Sequence, residues 1–577
     1  MKKSSALLLA GAIVAAFGLS ACGTPSSNPS SSAPSSSTGG SSDAYNINPH
    51  PYSDLKDGGE LTMAVTEITE QKNYFQADGT VDTWTLWNWY NAEVIKFYPN
   101  GDLHTNPAYI TDVKDEVVDG NTVVTYTLNP KAKFNDGTPI DIKAWQNTWQ
   151  TNNGTNEDYN ANSTDGYVRI SSVEQGTDNF QVVVTFDGIY PWWGGLFNSV
   201  LHPAVNTPDL YNNAYVGTDM ASAHPEWGAG PYKLDTFDAT SGVVTLVRNP
   251  NWWGDPGKLD KVTLLERDTV AATNAFKNGE LDVIGANTSD IMSQVKDVPG
   301  TDIRKGQRAA TFMLALNSRS PELADINIRK AIMTAVDRSQ VQSVLFQGMD
   351  YTEDAPGSLL LFGYQAGYQD NFSKVVPQSD LAAAKQILTD NGYTLGSDGF
   401  FADPNGAKIT LNYVLFSDAA STKAVAQVFQ TQLKALGIDM TIEQRPSNEF
   451  SNAIKNGDWD LMFAGFASSD PYGVAYTCQI WCSEADPQFS GLNYSHTGSA
   501  ELDAQIHAME QLPTADEQIA AANTLEVTAF QNYGLEPVYS GPMIYVVKSG
   551  LANVGSAGFA GNSSSMGDFK ENIGWVA

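Results

Sequence analysis

The chain has 577 residues, of which 42% are hydrophobic, 11% aromatic and 17% charged, a length that exceeds one ordinary domain and predicts two or three. Its 33 Lys and Arg against 65 Asp and Glu leave a formal net charge of −32. No basic cluster offsets that charge, which excludes a nucleic-acid partner because phosphates need cationic neighbours.

At the start of the chain Lys2 and Lys3 precede an apolar run over residues 7–19. That run is shorter than the ~20 residues a spanning helix needs and fits a secretory leader. It ends in Leu19-Ser20-Ala21-Cys22-Gly23, which resembles the lipobox of bacterial lipoproteins. The resemblance implies a signal peptide over residues 1–21 and acylation of Cys22. It places the protein on the extracellular face of a bacterial cell membrane, anchored through lipid; an ordinary signal peptide with a chance cysteine is the alternative. Residues 24–42 are Ser, Pro, Gly and little else. They bury nothing, so a flexible tether is expected, extending over residues 22–57 in all.

The body begins near Gly58 and Gly59. Residues 61–68 (LTMAVTEI), 121–129 (NTVVTYTLN), 180–187 (FQVVVTFD) and 242–249 (GVVTLVRN) read as strands, alternating or β-branched between turn residues. Trp84, Trp87 and Trp89 form a local cluster, and spacing of two on a strand puts Trp87 and Trp89 on one face. Residues 142–151 read as a helix with Trp145 and Trp149 four apart. A further helix spans 379–391, with Ser379 as its cap and Gly392 at its end.

Residues 409–416 (ITLNYVLF) form the next strand. Ser421 caps the following helix, whose apolar stripe is Val425, Val428, Phe429, Leu433 and Leu436, stopped by Gly437. Then come a strand at 438–442, a short helix at 450–455 and a strand at 460–466 (DLMFAGF). This βαβαβ order predicts a parallel sheet with right-handed crossovers. Two halves with their own sheets suggest two lobes, and a cleft between lobes is a common ligand site.

Several stretches carry a family resemblance in order along the body: residues 133–139 (KFNDGTP), 228–234 (GAGPYKL), 248–253 (RNPNWW), 276–284 (FKNGELDVI) and 327–337 (NIRKAIMTAVD). They resemble motifs of the peptide/nickel-type extracellular solute-binding proteins of ABC importers, the group of oligopeptide- and dipeptide-binding proteins. The resemblance implies a two-lobed, periplasmic-binding-protein-like α/β fold with an extra subdomain inserted in the N-terminal lobe. That lobe would span residues 58–310, with the insert at about 85–205. The second lobe would span 311–536, and residues 537–577 would return to the first. It also implies a monomer without cofactor or catalysis, which closes on an oligopeptide and delivers it to ABC permease subunits. The motifs themselves read as turns and close packing rather than ligand contacts, Gly228 and Gly230 allowing conformations that side chains would hinder.

In peptide-binding relatives, a loop after the strand ending at Phe466 carries an aromatic, an Asp that pairs with the peptide ammonium, a second acid and a Pro. The loop here is shorter. Phe466 takes the aromatic place, and Asp470, before Pro471, is either the ammonium anchor or only the turn acid. An ammonium buried in a cleft needs a carboxylate, because an unpaired buried charge is costly. Glu67, Ile68 and Thr69 occupy the loop that offers main-chain groups to an extended ligand, and Tyr74 and Phe75 are candidates to line the pocket. Trp87 and Trp89 keep an oligosaccharide ligand open, although a core role competes for them.

With Cys22 acylated, Cys478 and Cys482 form an even remainder outside the cytoplasm, which argues for a disulfide. No metal site is expected at C-x-x-x-C without a neighbouring His, and the six scattered His disfavour nickel. The chain has no H-E-x-x-H, G-x-S-x-G or P-loop. An acid-pair enzyme and a surface receptor reusing the fold are the rival classes.

Overall fold

Alternating burial explains the strands of the first half. In the computed structural model, which describes residues 44–377, 379–417, 419–468, 470–489, 492–561 and 565–577, Asn121–Leu128 turns Val124, Tyr126 and Leu128 inward. Gln181–Phe186 does the same with Val182, Val184 and Phe186. These strands stand at the centre of a four-stranded antiparallel sheet, with Ile110–Val118 and Ile170–Gln175 at its edges. The helix Ile142–Asn152 lays Trp145 on that inner face, with its ring 5.8 Å from Phe197 and 6.1 Å from Tyr126. Each such buried side chain contributes roughly 1.5–3 kcal/mol. Gly137, at φ +93°, closes the turn before the helix, and Asp141 caps it by accepting from the Lys143 amide at 2.9 Å.

A seven-stranded sheet runs in the order Thr301–Gln307, Pro542–Lys548, Val283–Gly285, Glu60–Val65, Lys261–Glu266, Val243–Arg248 and Tyr232–Asp238. Glu60–Val65 pairs in parallel with both of its neighbours. A five-stranded sheet runs Asp439–Gln444, Thr410–Leu415, Leu461–Ala467, Ala310–Leu316 and Leu535–Tyr539. Its first three strands are parallel to one another, as the βαβαβ reading requires. The result is a two-lobed α/β fold with one large sheet in each lobe.

The chain passes between the large sheets twice. Thr301–Gln307 leads through Arg308 and Ala309 into Ala310–Leu316, and Leu535–Tyr539 leads through Ser540 and Gly541 into Pro542–Lys548. The two passages lie side by side, the Arg308 amide donating to the Gly541 carbonyl at 2.8 Å. Residues 44–57, expected to continue the flexible tether, lie instead against the body: Ile47 and Leu55 are buried, and Asn46 and Leu55 bridge to Ser556 and Val576. Cys22 and residues 24–42 lie outside the described residues.

Three local expectations are corrected. Trp87 and Trp89 are not on a strand; they belong to the helix Val81–Tyr90, nucleated by a capping box between Thr80 and Thr83. Buried aromatics on several faces hide the helical period of this segment. The helix Ala420–Leu436 starts at Ala419 without a side-chain cap, so Ser421 lies inside its first turn; Gly437 does stop it, at φ +100°. Asp380, not Ser379, caps Leu381–Asp390, because its carboxylate reaches the Ala383 amide at 2.9 Å. Gly228 and Gly230 keep ordinary backbone angles. A Cβ at either would press to 2.8 Å on a carbonyl at the end of the tryptophan helix, so close approach is what they serve.

Candidate ligand-binding site

Where the lobes meet, the structure holds a cavity of about 140 Å³. Its first wall begins at the tryptophan helix. Trp84 and Asn88, one turn apart, face the cavity, and the Trp84 indole N–H donates to the Tyr74 carbonyl at 3.2 Å. Tyr74 lines the same wall, and burial pushes its phenol up to about 12. Asn162, Asp165 and Ser199 continue the lining. Burial raises Asp165, a shift its hydrogen bond with Ser163 opposes.

The charged part of this wall is Glu93 with Lys96. Lys96 Nζ is 2.9 Å from Glu93 Oε1, and Lys570 Nζ reaches the two Glu93 oxygens at 3.0 and 3.1 Å. All three side chains are buried. Burial alone would raise Glu93, but Lys570 and Lys96 outweigh it and hold the carboxyl below its ordinary range. Burial brings Lys570 down to about 8 even so. Two lysines therefore share one carboxylate beside the cavity, and a second buried acid, Glu571, faces Lys570 from behind.

Asp470 is the contribution of the other half of the chain. Among the described residues that line the cavity, it alone comes from 311–536. It is only 2% exposed, and its Oδ1 accepts from the Tyr472 amide at 2.8 Å. That turn sets Pro471 against Gly101 and brings the Tyr472 ring to 5.1 Å from Phe97 and 5.7 Å from Trp192. Trp192 in turn donates to Gln518 Oε1 at 2.7 Å. The lobes thus touch around the cavity.

Of the residues expected at the site, Tyr74 and Asp470 meet in this cavity, and Phe75 joins them. Trp87 sits behind the wall, donating to Ser199 Oγ at 2.8 Å, and Trp89 packs on Tyr232 in the core. The Glu67 amide is tied to Asp82 and the Ile68 amide to Glu266, while Thr69 bonds the Gln71 carbonyl; none of the three lines the cavity. Phe466 stacks on Tyr494 at 5.4 Å and also stands outside it. Sequence reasoning missed Glu93 and Lys96. Their signal was two opposite charges inside the otherwise apolar run 92–97, where burial forces them to pair.

The model of the bacterial extracellular solute-binding proteins, family 5, matches residues 104–487. The chain belongs to that family. The oligopeptide-binding protein OppA of Mycobacterium tuberculosis is 28% identical over 561 residues, covering 94% of this chain and 90% of that protein. Two solved structures share the fold. A periplasmic EDTA-binding protein, EppA, superposes with a TM-score of 0.78 at 24% identity, over 92% of this chain and 98% of that one. The oligopeptide-binding protein AppA of Bacillus subtilis, in complex with a nonapeptide, gives 0.65 at 18%, over 91% and 100%. Within this peptide/nickel-type family the protein is the substrate-binding component of an ABC importer, not an enzyme, and takes a small ligand for a permease. Family members work outside the cytoplasm, and among the described residues no helix is long and apolar enough to cross a membrane.

Proposed function

We propose that this protein captures short peptides by closing its lobes and is held at the cell surface through lipid on Cys22. The observation that carries the peptide reading is Asp470, a buried carboxylate from one half completing a cavity whose other lining comes from the rest of the chain. A peptide ammonium on Asp470 and an acidic group near Lys96 would use both charges. A ligand that touches both lobes binds the closed form better than the open one, which is what drives closure. In this reading residues 58–310 and 537–577 move as one lobe, with the insert at about 85–205, against 311–536. The cavity of about 140 Å³ matches a benzene-sized guest, so a peptide needs the lobes further apart than they stand here. The name of the mycobacterial relative and the nonapeptide in AppA support the peptide class.

Isothermal titration of unmodified and N-acetylated short peptides tests this. Unmodified peptides bind, and Asp470→Ala weakens them by about 2–5 kcal/mol, the cost of leaving a buried partner charge unpaired. Equal binding of acetylated peptides would defeat the ammonium contact. Anchoring is tested separately: Cys22→Ser releases the protein into the medium, whereas retention at the membrane would defeat the lipid.

A metal chelate or polycarboxylate is the second reading. It is favoured by the two lysines sharing Glu93 and by the fold shared with an EDTA-binding protein. The same titration with a carboxylate chelate separates the two. The oligosaccharide alternative loses Trp87 and Trp89 to the core, although Trp84 remains on the cavity.

A further inference from the structure

The Cys478–Cys482 disulfide does not stand alone. Cys478 lies in the short helix Thr477–Trp481, and Cys482 is the residue that ends it. The turn that follows brings Asp486 back, with its Oδ1 3.6 Å from Cys478 Sγ. From the helix Ala500–Glu510, His507 points its Nε2 to within 2.7 Å of Asp486 Oδ2. One ligand atom from each of the four residues lies within 4.8 Å of all the others. Both sulfurs are buried, whereas the His507 side chain is 35% exposed and gives a way in from solvent.

Two sulfurs, an imidazole and a carboxylate are the donor types of a tetrahedral zinc site. The second ring nitrogen of His507 supports that use. Its Nδ1 faces Glu510 Oε2 at 3.3 Å, and a carboxylate on the far nitrogen is how metal-ligating histidines are oriented. In the oxidised corner Nε2–H donates to Asp486 Oδ2 at 2.7 Å, and a metal would take the place of that proton between the two while Nδ1–H faces Glu510. No ion is needed to explain the oxidised corner, where the S–S bond consumes both sulfurs.

We propose that reduction of the Cys478–Cys482 disulfide turns this corner into a site for a divalent transition metal, Zn²⁺ by donor type, held by Cys478 Sγ, Cys482 Sγ, Asp486 and His507 Nε2. A dithiol supplies the two electrons and two protons that cleave the S–S bond into two thiols, and closes its own disulfide. The metal then displaces the two thiol protons and the proton between His507 Nε2 and Asp486, and binds the thiolates, the imidazole and the carboxylate. Disulfide and metal are mutually exclusive, because each needs both sulfurs. Outside the cytoplasm the disulfide is the resting form, so the site is conditional on a thiol reductant.

The test uses the full chain with Cys22→Ser, so that no third thiol competes, in oxidised form and after reduction by a phosphine that does not chelate. Each form is mixed with Zn²⁺, desalted and measured for bound metal; Co²⁺ replaces Zn²⁺ in a parallel set to report thiolate-to-metal charge transfer. About one Zn²⁺ per reduced chain is expected, with Co²⁺ showing the thiolate band. The oxidised chain should hold none. His507→Ala and Asp486→Asn should each weaken the reduced site by about tenfold or more, while each oxidised variant keeps its near-ultraviolet circular dichroism. Equal metal in both forms, meaning surface carboxylates only, would overturn the proposal. So would a metal-free reduced chain, a reduced chain that loses its near-ultraviolet circular dichroism, or full affinity in His507→Ala.

Discussion

The two lobes meet the cavity with different means. The first presents a wall assembled during folding, in which the tryptophan helix, Tyr74 and the Glu93–Lys96 pair are braced from behind by Trp87 and Lys570. The second presents one carboxylate, Asp470, on a turn after a strand. The charges of the first wall meet one another within a single lobe, whereas Asp470 reaches the cavity from the other. Stability should therefore follow substitutions in the first wall, and affinity should follow Asp470. The sharpest way to break that contrast is Glu93→Ala. It strips the shared carboxylate from two buried lysines and should cost about 3–5 kcal/mol, read by urea unfolding, as losing one member of a buried ion group does. Adding Lys570→Met should recover part of the loss. A stable Glu93→Ala protein would mean that the wall is wetter than its burial implies.

Asp470→Asn sharpens the other side. Asn keeps the size and the oxygen that accepts from the Tyr472 amide, so unfolding should shift by less than it does in Asp470→Ala. Peptide affinity should nonetheless fall by about 2–3 kcal/mol, because the charge is gone. If stability fell as far as affinity, Asp470 would be a turn residue and no more.

Each lobe also hides one acid that burial pushes up to about 7, Glu571 in the first and Glu526 in the second. Glu526 Oε1 accepts from the Leu359 amide at 2.7 Å and Oε2 from Asn371 at 2.9 Å. Its folded value lies above the ordinary 4.5, so the folded state binds the extra proton between about pH 4.5 and 7. Its contribution is present in full below that window and is lost as pH rises through it, by roughly 1–3 kcal/mol. Glu526→Gln should flatten that part of the stability profile, measured by melting at pH 5 and 7. An unchanged slope would assign the pH dependence to the other buried acids that burial raises, Glu571, Glu536 and Glu353 among them.

Much of this architecture is legible in the sequence. Alternation located the strands around Val124 and Val184, and the βαβαβ order located the parallel part of the second sheet. The family motifs pointed to the two-lobed fold. The cavity was legible only at Tyr74, Phe75 and Asp470. Aromatics two apart imitate a strand, and only the threonine capping box at its start marks the tryptophan segment as a helix. Lys570 reaches Glu93 across 477 positions, and His507 reaches the turn residue Asp486 from the helix Ala500–Glu510. Contacts of that kind follow from tertiary packing, and no local spacing encodes them.

The smallest expected effect concerns what joins the lobes. Glu353 sits against both passages between the sheets. Its Oε1 accepts from the Ser540 and Gly541 amides at 2.7 and 3.1 Å on the returning strand. Its Oε2 accepts from the Tyr351 hydroxyl at 2.7 Å and from Gln307 at 3.0 Å on the outgoing one. Burial raises this carboxyl despite those donors. Glu353→Gln keeps the size but turns one acceptor into a donor among donors, at a cost of about 1–3 kcal/mol shared between stability and closure. No part of Glu353 lines the cavity. A loss of peptide affinity of up to about tenfold, with ligand-free scattering shifted toward a more extended shape, would place the closing motion at these two passages. An unchanged affinity beside a lowered melting temperature would make Glu353 a brace for the fold and move the hinge elsewhere.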